Sequence, residues 1–131
     1  MLLLAVSSGL SFVPGSLKVE SDGLYYYKID EENSAVIRFY EDGVVLVSSS
    51  VNDYDKVLTW FNRDKENYSR VLTGKYKQGK SDGSLHFNVK GETGEQKFSG
   101  QILADNTLRL HVTDPKAGTS TDRVYKFWKK K

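Results

Sequence analysis

The stretch Ala35-Val36-Ile37-Arg38-Phe39-Tyr40-Glu41-Asp42-Gly43-Val44-Val45-Leu46-Val47-Ser48 decides the fold of this chain. Two runs of β-branched and aromatic residues, which suit a pleated, half-buried surface, flank Glu41-Asp42-Gly43. An Asp-Gly pair between such runs is a hairpin signal, with Gly43 in the left-handed position of a three-residue loop. In that register Ile37 and Phe39 share a face with Val45 and Val47, while Arg38 points out. A two-residue turn would exchange Val45 for Leu46; the longer loop is the reading adopted.

The same grammar runs outward in both directions. Leu24–Ile29 reads as the first strand and Asp30–Ser34 as its polar turn. Downstream, Leu72, Gly74 and Tyr76 alternate with Thr73, Lys75 and Lys77, and Gln78–Gly83 turns the chain. Leu85, Phe87 and Val89 then face one way, with His86, Asn88 and Lys90 the other. After the turn Gly91–Glu95 come Phe98, Gly100 and Ile102 in phase. Asp105-Asn106 leads into Leu108, Leu110 and Val112. The loop Asp114–Thr121 precedes a last strand with Tyr125 and Phe127 inward, the side of Arg123 being left open. Mid-strand Gly74 and Gly100 mark places where a barrel wall bends or needs room inside.

One segment has a helical period instead. Tyr54, Val57, Leu58 and Phe61 fall at i, i+3, i+4 and i+7, predicting a helix over Asn52–Asn62 with Asn52 as N-cap. A helix that short must cover something, and a barrel mouth is the expected place. The prediction is therefore all-β: about eight antiparallel strands in an up-and-down barrel, with one short α-helix after the third strand. Residues 1–22 form a lead-in or tail and 23–131 the barrel domain.

Composition bounds the function. Hydrophobic residues at 38% and charged residues at 27% fit one globular domain. A net charge of +2 implies no general affinity for polyanions. With no cysteine in the chain, disulfides, thiolate metal sites and a cysteine nucleophile are excluded, and a cytoplasmic location is expected. The opening apolar run, Leu2–Val6, is short for a secretory signal and has no Lys or Arg before Lys18. A truncated signal is the alternative to a plain lead-in. No stretch approaches the length of a membrane span.

Leu24-Tyr25-Tyr26-Tyr27, Ile37–Val45, the Trp60-Phe61 helix, Gly74-Lys75-Tyr76 and Val124-Tyr125-Lys126-Phe127 together resemble a poorly characterised group of small lipocalin-like (calycin-type) β-barrel proteins. The resemblance covers roughly residues 23–128 and rests on turn and core residues. The segment Ile37–Tyr76 also resembles the C-terminal β-domain of an F-box-containing adaptor family; at this chain length only the β-module would be shared. Neither resemblance supplies an active site.

No constellation of catalytic or metal-ligating residues accompanies the strands. His86 and His111 fall at outward positions and have no ligand partner in sequence. Asp30, Glu31 and Glu32, and Asp53 with Asp55, lack the alternation of a calcium loop and read as turn and helix-start charge. Ser48-Ser49-Ser50 lacks the glycine-flanked elbow of a serine hydrolase. The glycine-rich turn before Gly83 opens no helix and so is not a phosphate loop. The tail Lys126-Phe127-Trp128-Lys129-Lys130-Lys131, whose mixed bases and aromatics are the alternative signal for nucleic acid or an acidic membrane surface, reads as solubilising, and no nucleic-acid partner is expected.

The expectation is a non-enzymatic protein without cofactor or metal, binding a small apolar or amphipathic ligand in the barrel interior. The eight tyrosines motivate it, since an aromatic wall with hydroxyls orients such a ligand. The expected binding residues are Tyr25, Tyr27, Phe39, Tyr76, Phe87, Tyr125 and Phe127 from the strands, with Tyr54, Val57 and Phe61 from the helix as a lid. The alternative is a protein-interaction or structural β-module with a filled core.

Overall fold

The computed structural model describes residues 17–131; the signal-like run Leu2–Val6 lies outside the described residues. The strands are β1 (Gly23–Lys28), β2 (Asn33–Phe39), β3 (Val44–Val51), β4 (Leu72–Gln78), β5 (Ser84–Gly91), β6 (Gly94–Ile102), β7 (Leu108–Asp114) and β8 (Thr119–Lys129). They close into one barrel in sequence order, each strand antiparallel to the next, with β1 against β8. Closure leaves no full-length edge strand. The helix α1 (Tyr54–Val57) and a 3-10 turn (Lys65–Asn67) lie between β3 and β4.

The hairpin that decided the fold has the longer loop. Ile37 stands opposite Val47 and Phe39 opposite Val45, and Gly43 sits at φ 95°. Nothing lies within 4 Å of where a Gly43 side chain would start. Gly43→Ala should therefore cost only the backbone strain, about 1 kcal/mol, read as a shift in urea midpoint with an unchanged slope. A neutral result would mean that the loop relaxes without cost.

Alternation carries through to the interior. Tyr25, Ile37, Phe39, Val45, Val47, Leu72, Leu85, Phe87, Val89, Phe98, Ile102, Leu108, Leu110, Val112 and Tyr125 form one buried cluster, with Tyr27, Tyr76 and Phe127 packed against it. Arg123, left open by the sequence, shares the inward parity of Tyr125 and stands opposite Leu110.

The helical segment differs from expectation in length, cap and position. Only Tyr54–Val57 is α-helical, and the N-cap is Asp53, whose carboxylate accepts from the Lys56 amide at 3.3 Å, in place of Asn52. Asn52 instead accepts from the Ser34 hydroxyl and donates to the Glu31 carbonyl. The α-turns close early, as the Thr59 hydroxyl takes the Lys56 carbonyl and the Asn62 amide turns back to Trp60. The helix does not cap a mouth. Val57 and Phe61 join Leu24, Val36, Leu46 and Val71 in a second buried cluster, on the outer wall of β1–β3. Arg38 fastens this cover by donating to the Phe61 carbonyl at 2.7 Å.

The two barrel ends differ. At the end where β1 begins, residues 17–22 lie across the opening. The Val19 amide donates to Gln78 at 3.1 Å, and Val19 packs on the interior cluster. Among the described residues nothing crosses the end where β1 finishes, and a cavity opens there.

Candidate functional site: the open mouth of the barrel

The ten residues expected to bind ligand fall on two sides of one wall. Tyr25, Tyr27, Phe39, Tyr76, Phe87, Tyr125 and Phe127 belong to the interior. Tyr54, Val57 and Phe61 belong to the outer cover, so the two sets do not enclose a common pocket. The physical reason is that β1–β3 carry apolar residues at outward positions too, Leu24, Val36 and Leu46, and the helix buries that surface.

Inside, the rings pack on one another. Phe39 meets Tyr25 at 5.6 Å, Tyr76 at 5.0 Å and Phe87 at 5.6 Å edge-on, and Phe87 stacks on Phe98 at 4.5 Å. These separations are those of favourable aromatic pairs. Several tyrosine hydroxyls already have protein partners. Tyr25 accepts from the Glu20 amide at 2.9 Å and donates to Asn106 at 2.7 Å, tying residues 17–22 and the β6–β7 turn to the barrel. Tyr76 donates to the Tyr40 carbonyl at 2.7 Å, and the Tyr54 hydroxyl bonds that of Ser34 at 2.8 Å. The tyrosine excess therefore has a structural use that the sequence did not reveal.

Burial pushes the Tyr25 phenol far above its ordinary value, and burial likewise raises Tyr125, Tyr54 and Tyr76. Raised phenol values keep their protons in the folded protein where the unfolded chain loses them. Stability should thus be fully retained below about pH 10 and fall as pH rises beyond it. Urea midpoints between about pH 8 and 11 measure this, and Tyr25→Phe should flatten the alkaline slope. An unchanged slope in that variant would show that Tyr25 is not the main contributor.

The space that remains is at the open mouth, a cavity of about 460 Å³. Ala35, Val47 and Leu72 supply apolar wall, Ser48 and Ser49 hydroxyls, and Arg70 and Arg123 positive charge. Glu95 and Asp114 are also on its rim, but the Asp114 carboxylate accepts from the Lys116 and Ala117 amides of its own turn at 3.0 Å. Arg123 donates to the Tyr125 hydroxyl at 3.1 Å and lies 5.0 Å from the centre of the Tyr27 ring. Among the described residues it makes no ion pair. A half-buried guanidinium without a carboxylate is a ready anion partner, and its planar fork suits carboxylate or phosphate. The sequence placed Tyr27 and Tyr125 beside this position but did not single out Arg123. The available signal was a basic residue at inward parity in an otherwise apolar series.

The remaining polar groups make no second centre. His86 points outward, as expected. His111 also points outward, yet cross-strand pairing sets Asp122 opposite it, with Nδ1 2.8 Å from the carboxylate. Both side chains are half or more exposed, so this pair contributes little. Among the described residues no group of three His, Cys, Asp or Glu is placed to hold a metal, and no helix is long and apolar enough to cross a membrane.

The fold defines a closed eight-stranded antiparallel barrel, compatible with the calycin class. No protein-family model, curated protein or solved structure matches the chain.

Proposed function

We propose that this protein is a lipocalin-like, non-enzymatic carrier that binds a small amphipathic ligand with an anionic head at the open mouth of its barrel. One observation carries the reading: Arg123 is turned into the mouth, held by Tyr125 and Tyr27, with no carboxylate paired to it among the described residues. Arg70 on the opposite rim adds a second positive charge, and Ala35, Val47 and Leu72 offer an apolar wall for a short tail. The volume of about 460 Å³ suits a ligand of modest size. Of the ten residues expected from sequence, Tyr27 and Tyr125 keep a role here, as the support for Arg123.

The test is a thermal-shift and calorimetric series with decanoate and aryl carboxylates, against decanol as the uncharged control. A carboxylate at 100 times its dissociation constant should add about 2.7 kcal/mol of stability, and decanol far less. Arg123→Gln should remove the difference between acid and alcohol. If no carboxylate shifts the transition, or the variant responds like the parent, the carrier reading fails. The packed interior cluster and the internally bonded tyrosine hydroxyls would then favour the interaction or structural module.

A further inference from the structure

The barrel is closed, but its closure is incomplete between β3 and β4. Their pairing runs from Val44 opposite Lys75 to Val47 opposite Leu72 and stops there. On its other side β3 continues against β2 as far as Val51 opposite Asn33. Ser48–Val51 therefore overhangs, with β2 on one side and, among the described residues, no strand on the other. The cause is the returning chain. After the 3-10 turn it bends at Arg70, whose amide bonds the Asn67 carbonyl and whose own carbonyl accepts from the Ser48 hydroxyl. It joins the sheet only at Leu72.

The direction of the backbone groups follows from alternation along a strand. The Val44 carbonyl accepts from Tyr40 and the Asn52 amide donates to Glu32, so even-numbered positions of β3 face β2. The Gly43 carbonyl accepts from Tyr76, so odd-numbered positions face β4. The amides and carbonyls of Ser49 and Val51 thus point to the side that β4 has left. Among the described residues no backbone group there bonds them, and the Ser49 carbonyl has the Ser48 hydroxyl at 3.4 Å.

Beside this edge lies an external cavity of about 450 Å³. Its walls include Val51, Val57 and Trp60, with Lys56 and Arg70 as its charged groups and no acid. The Arg70 guanidinium sits 3.6 Å from the centre of the Trp60 ring, and Val51 is 52% exposed. Proteins normally blunt a free edge with charge or proline. The stretch of β8 that has β7 on one side and no β1 partner on the other, 119–125, carries Asp122 and Arg123, but Ser48-Ser49-Ser50-Val51 has no such defence.

We infer that the Ser48–Val51 edge of β3 docks an extended acidic peptide segment of a partner protein as an added strand. Main-chain bonds to Ser49 and Val51 supply affinity. One flanking side chain, a carboxylate, meets Lys56 and Arg70, and an apolar one lies on Val51 and Trp60. The site is distinct from the mouth cavity, although Ser49 and Arg70 border both.

The test uses the full chain and a phage-displayed random nonapeptide library, followed by synthesis of the enriched sequences. Enrichment of peptides alternating acidic with apolar residues is expected. In each, N-methylation of one alternate set of amides should weaken binding tenfold or more, while methylation of the other set leaves it within about twofold. Lys56→Glu with Arg70→Glu should also lose tenfold or more, whereas Arg123→Gln, which removes the mouth anion site, should not matter. In the free protein, the Ser49 and Val51 amides should exchange with solvent far faster than those of Val45 and Val47, and become protected on peptide binding. No enrichment, binding indifferent to both methylation sets, or Ser49 and Val51 amides already protected in the free full chain would each overturn the inference. The last result would mean that another part of this chain occupies the edge.

Discussion

Replacing Phe39 with alanine should destabilise the protein by about 3–5 kcal/mol, the usual range for removing a buried aromatic ring. Phe39 is fully buried, and its ring is the hub at which Tyr25, Tyr76 and Phe87 meet edge-on. Those three rings come from β1 and from the adjacent pair β4 and β5, where Tyr76 stands opposite Phe87, and each is held in its own strand, so no single neighbour can move in to fill the gap. Both the lost transfer energy and the residual cavity therefore add to the cost. Urea unfolding of Phe39→Ala beside Phe39→Leu measures it, and the leucine should recover a good part of the loss. A cost below about 1 kcal/mol for the alanine would mean that the interior collapses freely and is not the close-packed core described.

Gly100→Ala should cost about 3 kcal/mol or more, for a reason unlike that at Gly43. A Cβ at Gly100 would lie 1.9 Å from the Arg109 carbonyl oxygen on β7, a distance that only movement of one strand relative to the other can relieve. Overpacking of ordinary side chains costs about 1–3 kcal/mol, and here the obstacle is backbone held in a ladder. Gly74 faces the same obstacle, with the Asn88 carbonyl oxygen 1.9 Å from its would-be Cβ. These two mid-strand glycines let neighbouring strands approach, so the space they save is between backbones and not only inside the barrel. Chemical denaturation of Gly100→Ala and Gly43→Ala side by side should separate the two mechanisms. Equal small losses would show that the β6–β7 pair accommodates the methyl group.

The barrel was legible because its signal is local. Side chains alternate with a period of two along every strand, so burial of one face writes itself directly into neighbouring residues. Ile37, Phe39, Val45 and Val47 announce the first hairpin. Leu85, Phe87 and Val89 then repeat the pattern, and Leu108, Leu110 and Val112 repeat it again. The loop type could be read as well, since Gly43 is suited to the positive φ that the register needs.

The destination of the helix was less accessible, though one sign of it was present. Leu24, Val36 and Leu46 break strict alternation in β1–β3, and a strand apolar on both faces must be covered on both. Val57 and Phe61 supply that cover, but a period of 3.6 says only that a helix has an apolar face, not which surface receives it.

The candidate site was the least legible part. Sequence assigns Tyr25 and Tyr76 to the interior, but their hydroxyl partners, Asn106 and the Tyr40 carbonyl, lie 81 and 36 residues away. Whether a tyrosine is free to meet a ligand depends on such distant contacts. Arg123 is distinguished by the absence of a paired carboxylate among the described residues, and the overhang of β3 by where β4 begins. Strand number, order and inward faces are consequences of local periodicity and turn chemistry, and the chain carries them in its residues. The satisfied hydroxyls, the open mouth and the unpaired edge arise only when segments far apart in sequence meet, because partner and absence of partner alike are properties of the closed barrel.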